Sequence, residues 1–140
     1  MDRSSTEAAR VERLAARDRL MALLGIECVD GGPGRAAVSL AVRNDHLNFN
    51  GSCHGGAIFA LADSAFGLAS NSHGVIAAAI DAHITYQVAV KAGDTLTATA
   101  IEVSRTRKLG VYRIDVTRQD GAIVSTFTGT VYVTERLNEP

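Results

Sequence analysis

Asp63 is the only Asp, Glu, Lys or Arg between Asp45 and Asp81, and it stands inside HGGAIFALADSAFGLAS, the most apolar run of the chain. An ionised carboxylate in such a setting is strongly destabilising unless partners are supplied. Read structurally, Asp63 is a core polar group tied to a backbone N–H or to neighbouring Ser64. Read chemically, it is a carboxylate tuned by its surroundings to act as a general base or a nucleophile.

The residues just ahead of it bear on that choice. His54-Gly55-Gly56 stands where the apolar run begins. A helix start presents unpaired N–H groups and positive dipole, suited to an anion or a developing oxyanion. Glycine there lets a ligand approach the backbone closely. With Asn48 upstream, the set offers donors for an acyl oxygen and a carboxylate to activate water. Gly55 and Asp63 are eight residues apart, which on one helix is about 12 Å of rise. Groups acting on one carbonyl must come within about 3 Å of it. If both serve the same carbonyl, one must come from a second copy of the chain.

Two other chemistries compete for the same residues. Cys53 beside His54 at a helix start could be a stabilised thiolate, but adjacent side chains rarely face each other and no third orienting group is visible. His46, Cys53 and His54 do not have the spacing of a zinc site. His73 and His83 read as structural or surface residues.

The elements that must position these groups follow from periodicity. Residues 6 to about 24 predict one amphipathic helix, with Val11, Leu14, Leu20, Leu23 and Leu24 near one face and Gly25 as the stop. Residues 26–43 predict a hairpin turning at GGPG, and NDHLNFNGS a loop. A helix follows from about Cys53 to Ser72, ended by His73-Gly74; being apolar nearly all round, it predicts burial on all sides. From residue 75 onward β-branched residues and alternation predict strands, linked at KAGD, RKL and QDGA. The expectation is an α+β domain over residues 1–140, with an antiparallel sheet of about five or six strands wrapped around one long central helix.

Composition removes several function classes. The 140 residues are 46% hydrophobic and 21% charged, with a formal net charge of −1. That balance does not point to nucleic acid or an anionic membrane surface as partner. No Trp and only four Phe and three Tyr make a base-stacking platform an unsuitable reading. No apolar run reaches the length of a membrane span, and the charged N-terminus lacks a secretory core. Cys28 and Cys53 make no disulfide framework. A cytoplasmic protein is expected.

The run H-x-N-x-x-G-x-x-H-G-G-x-x-F-x-L-A-D-x-A-F, filled here by His46, Asn48, Gly51, His54, Gly55, Gly56, Phe59, Leu61, Ala62, Asp63, Ala65 and Phe66, resembles the signature of hotdog-fold acyl-CoA thioesterases. More narrowly it is similar to the phenylacetate-pathway PaaI type, as are Asn71-Ser72, AGDTLTATA (92–100) and GVYRIDV (110–116). The resemblance spans roughly residues 22–135. It implies a helix wrapped by an antiparallel sheet, domains paired into dimers and often into a homotetramer, and active sites at the subunit interface. It further implies Asp63 as general base or nucleophile and the Gly55 N–H of the partner subunit as the donor to the thioester carbonyl. Asn48 would place the water or the acyl group, and His54 would shape the helix start. Phe59 and Ser72 would line the substrate, and Arg105 and Lys108, with Arg107, would meet the phosphates of coenzyme A. No metal or separate cofactor is implied, since coenzyme A is part of the substrate.

The implied substrates are phenylacetyl-CoA or ring-hydroxylated phenylacetyl-CoA, with medium-chain acyl-CoA as the rival. A dehydratase of this fold would need a histidine on or near the helix as acid/base, where this helix interior carries only Asp63. A non-enzymatic acyl-CoA sensor would need a readout, and the segment before Ile26 is too short for a DNA-binding helix-turn-helix. Thioester hydrolysis is the expected activity.

Overall fold

Asp18 breaks the single N-terminal helix expected from the sequence into two. The computed structural model describes residues 5–140; the first four, which the single-domain expectation included, lie outside the described residues. α1 spans Thr6–Ala16, with the Ser5 side chain accepting from the Ala8 N–H. α2 spans Arg19–Leu24; Asp18, in extended conformation, accepts from the Met21 N–H at 3.0 Å, and Gly25 closes the helix at φ 80°. The break rotates the apolar face. Val11 and Met21 are buried, whereas Leu20 and Leu23, assigned to the inner face by periodicity, are 51% and 72% exposed.

The strands are β1 (Glu27–Gly32), β2 (Arg35–Ala41), β3 (Val75–Tyr86), β4 (Thr95–Arg105), β5 (Leu109–Arg118) and β6 (Ile123–Leu137). They form one antiparallel sheet in the order β1-β2-β4-β5-β6-β3. The expected hairpin turns at Pro33-Gly34, with Gly34 at φ 64°. Between Leu47 and Cys53, which form an isolated bridge, the expected loop makes a tight excursion after a 3-10 turn at Asn44–His46. Register shifts near Asp30, Ile80 and Val103 act as bulges that bend strands.

The long helix α3 runs Gly55–Ser70 and contacts all six strands. Leu61, Ala62, Ala65, Phe66 and Ala69 face Val38, Leu40, Leu96, Tyr112, Ile114 and Phe127 in one core. Phe66 lies 5.8 Å from Tyr112 and 5.5 Å from Phe127, centroid to centroid. This is the α+β arrangement expected from the sequence, with six strands.

Burial of α3 on all sides does not hold for the single chain. Gly56, Asp63 and Gly67 are exposed. The sheet covers one side of the helix, and the other is roofed only by the short α1 and α2. At one end of the sheet, β3 pairs with β6 alone and exposes every residue from Ala78 to His83. Among the described residues no helix is long and apolar enough to cross a membrane.

Candidate functional site

Asp63 projects from the open side of α3 into a cavity of about 660 Å³ that Leu14, Asp18, Leu20, Ala60 and Leu68 help to line. No hydrogen bond or ion pair among the described residues ends on its carboxylate. The Ser64 hydroxyl, its expected structural partner, donates to the Ala60 carbonyl at 2.7 Å. Solvent reaches the carboxylate, but the cavity walls displace much of the surrounding water. That desolvation, with the like charge of Asp18 acting in the same sense, raises the Asp63 pKa above the usual aspartate range.

At the head of α3, His54 is the N-cap, and its Nδ1 accepts from the Gly56 N–H at 2.7 Å. The Ala57 and Ile58 N–H groups are taken by the His54 carbonyl. Among the described residues, the Gly55 N–H is then the first-turn donor left without an acceptor, as expected of an open helix start. Gly55 lines a second cavity, of about 290 Å³, with Ile58, Tyr86 and Val88. The Tyr86 phenol donates to the Gly55 carbonyl at 3.0 Å, and a Cβ on Gly55 would lie 3.2 Å from the Tyr86 ring. Glycine is therefore what permits this close approach.

The loop ahead of the helix is tied from several sides. The His54 N–H donates to the His46 carbonyl. Buried His46 accepts at Nδ1 from the Arg43 N–H, so its Nε2 carries the proton bonded to the Leu24 carbonyl at 2.8 Å. The end of α2 is thereby fixed to the start of α3. Asn48 Oδ1 accepts from the N–H groups of Asn50 and Ser52 at 2.9 and 3.1 Å. In one chain, Asn48 organises the loop and lines neither the Asp63 nor the Gly55 cavity.

The other expected residues divide. Phe59 is half-buried, edge-on to Phe127 at 5.3 Å. Ser72, expected to line the substrate, is completely buried; its hydroxyl donates to the Ala69 carbonyl and accepts from the Gly34 N–H. Ser72 fastens the β1–β2 turn to the end of α3 and has no surface to offer a ligand. Arg105 ends β4 and Lys108 lies in the β4–β5 turn; both are exposed, and neither lines the cavity of Asp63 or Gly55. Cys53 is buried, which pushes its thiol up to about 11, with the Asp94 charge adding to the shift. It is thus protonated near neutrality, opposite to what a nucleophile requires. His73 bonds Glu102 at 2.8 Å, alongside the Tyr112 phenol on the same carboxylate oxygen.

Two residues escaped the sequence reading. Tyr86 sits at the far end of β3, and no local pattern ties it to Gly55. Asp18 caps α2 inside a run that reads as one continuous helix, and nothing local marks it as the neighbour of Asp63. Within one chain, Asp63 and Gly55 open into separate cavities on α3. The carboxylate and the free donor are both present, and a single chain does not bring them together.

Residues 50–125 match the model of the thioesterase superfamily. The chain is similar to the acyl-coenzyme A thioesterase PaaI of Escherichia coli K12, at 42% identity over 106 residues covering 76% of each protein. The structure of the E. coli PaaI protein from the phenylacetic acid degradation operon superposes with TM-score 0.91 at 34% identity, covering 94% of this chain and 96% of that one. The TT0310 protein of Thermus thermophilus gives TM-score 0.81 at 44% identity, over 86% and 99%. A hypothetical thioesterase protein of Streptococcus pneumoniae TIGR4, solved with coenzyme A, gives 0.77 at 33%, over 81% and 91%.

Proposed function

We propose, from the premise that this chain belongs to the thioesterase superfamily and is a thioester hydrolase of the PaaI type, that it hydrolyses phenylacetyl-CoA or ring-hydroxylated phenylacetyl-CoA to the free acid and coenzyme A. The observation that carries the reading is Asp63: a carboxylate with no hydrogen-bond or ion-pair partner among the described residues, held at a raised pKa in a cavity of mixed apolar and polar lining. Such a group holds a proton more readily than an ordinary aspartate, which suits a general base. The aryl-acetyl choice draws on the similarity to PaaI of E. coli.

In this mechanism Asp63 takes a proton from water as its oxygen adds to the thioester carbonyl. The Gly55 N–H of the partner subunit holds the oxyanion that forms. Collapse of that intermediate breaks the C–S bond, and the departing sulfur takes up the proton to give the thiol of coenzyme A. As a nucleophile instead, Asp63 would form a mixed anhydride that water then opens, with the same products. Asn48 would orient the water or acyl group from the loop that carries Gly55. Arg105 and Lys108 would meet the phosphates of coenzyme A.

The two-chain site draws support from β3. A 12-residue edge strand exposing Ala78, Ala79, Ile80 and Ala82 is an open template for another strand. Pairing through this edge would bring Tyr86 and the adjoining Gly55 cavity towards a second copy. A dimer, or a dimer of dimers, is the proposed assembly. The cytoplasm is the proposed setting, where the thiols of Cys28 and Cys53 stay reduced.

The test is chelator-treated protein against a panel of acyl-CoA thioesters, with a thiol-reactive dye reporting released coenzyme A. Turnover highest on aryl-acetyl thioesters is expected. Medium-chain preference would shift the substrate assignment, and binding of acyl-CoA without any release would replace the enzyme by a sensor.

A further inference from the structure

Two cavities lie end to end along the open side of α3. The larger, about 660 Å³, contains Asp63; the smaller, about 360 Å³, begins at His54 and Gly56. They share Leu20 and Ala60, so they form one groove with α2 as the opposing wall. The combined space is of the size that small-molecule sites occupy.

Gly67 lies on this groove, one helical turn beyond Asp63 and on the same face. Its backbone does not require glycine, because it is not among the residues with positive φ. Packing does not require glycine either: a Cβ at Gly67 would meet nothing within 4 Å. A glycine inside a helix is about 0.5–1 kcal/mol less favourable than alanine. The effect that remains is the space left beside the carboxylate. Across the groove stands Leu20, 51% exposed and therefore held only partly by the core. It belongs to α2, outside the residues that match the superfamily model.

We infer that Gly67 and Leu20 set the size and shape of the acyl group this enzyme accepts: Gly67 leaves room for a ring one turn past Asp63, and Leu20 closes the opposite wall. The inference rests on the reading of Asp63 as the reacting carboxylate. The short acyl part of acetyl-CoA would not reach Gly67, whereas a phenylacetyl ring would lie against it. Leu20, contributed by α2, would then be the side chain that limits the acyl group on the wall facing Gly67.

The experiment compares wild type, Gly67→Leu and Leu20→Ala on acetyl-, hexanoyl-, decanoyl- and phenylacetyl-CoA. Gly67→Leu should melt no lower than wild type, since it gains helix propensity and meets open space. Its kcat/KM on phenylacetyl-CoA should fall by about tenfold or more while acetyl-CoA stays within about threefold, the scale at which apolar pockets discriminate size. Leu20→Ala should shift preference towards decanoyl-CoA. An equal fall on every thioester, or an unchanged order of preference in both variants, overturns the inference. A wild type that turns over none of the panel defeats the proposed hydrolase instead. The groove is then read by binding of non-hydrolysable thioether analogues, where Gly67→Leu must weaken the phenylacetyl-sized analogue selectively or the inference falls.

Discussion

A partly desolvated carboxylate with like-charged Asp18 nearby keeps its proton to a higher pH than an ordinary aspartate. As the proposed base or nucleophile, Asp63 must be ionised to work, so kcat/KM should rise with pH through a limb above the usual aspartate range. Asp18→Asn, which keeps an N-cap, should move that limb to lower pH in a pH–rate profile. The same shift has a stability consequence. With the folded pKa above the unfolded one, folding is favoured at pH below the unfolded value, and that stability is lost as pH rises through the folded value. The ionised Asp63 therefore opposes folding at neutral pH. Asp63→Asn should melt at the same or a higher temperature there, yet lose about 100- to 10,000-fold in turnover, the worth of a general base. Near-wild-type activity in the folded variant would return Asp63 to a structural role.

At the scale of elements, α3 is held on one side and free on the other, and its glycine and alanine positions respond accordingly. Where the sheet closes on the helix, space is exhausted. A Cβ on Gly129 of β6 would stand 2.7 Å from the Phe66 ring, and Phe66, fully buried between Tyr112 and Phe127, has nowhere to retreat. Gly129→Ala should destabilise by about 1–3 kcal/mol, read as a lower urea midpoint with unchanged slope. Where the helix is open, Gly67→Ala should stabilise by about 0.5–1 kcal/mol. Equal responses at the two positions would contradict the one-sided packing of α3.

For the whole molecule, the proposed site shared between Asp63 of one chain and Gly55 of another would make assembly the condition for catalysis. Ile80→Lys, on the exposed edge of β3, should leave a folded monomer by sedimentation and abolish turnover together with the dimer. Complementation tests the sharing of sites directly. Asp63→Asn should be inactive through the lost carboxylate, and Gly55→Pro through the lost N–H, proline being tolerated in a first helical turn. The half-exposed Tyr86 ring can yield to the added atoms at residue 55. Random assortment makes about half of the dimers mixed, each with one intact and one doubly damaged site, so co-refolded protein should recover about a quarter of wild-type activity. A mixture as inactive as its components, with exchange confirmed by mass, would place the whole site in one chain.

Local pattern was enough for much of this protein. The all-apolar run with one carboxylate marked α3, GGPG marked the first hairpin, and alternation marked the later strands, because each signal is written within a few residues. The Gly55-to-Asp63 spacing also followed from helix rise alone. Periodicity does not say which side of a helix a distant strand covers, however, and the expectations failed there. The run 6–24 looked continuous because its apolar spacing nearly spans the break at Asp18, while capping and the core turned Leu20 and Leu23 outward. Ser72 looked available until the β1–β2 turn supplied Gly34 as its partner across 38 positions. Tyr86 met Gly55 only because β3 runs back along α3 after pairing with β6, the last strand in the chain. Sequence thus set the chemistry and spacing on α3, whereas its open side, the division of its groups between two cavities and the tyrosine over its first turn depend on contacts between residues far apart in the chain.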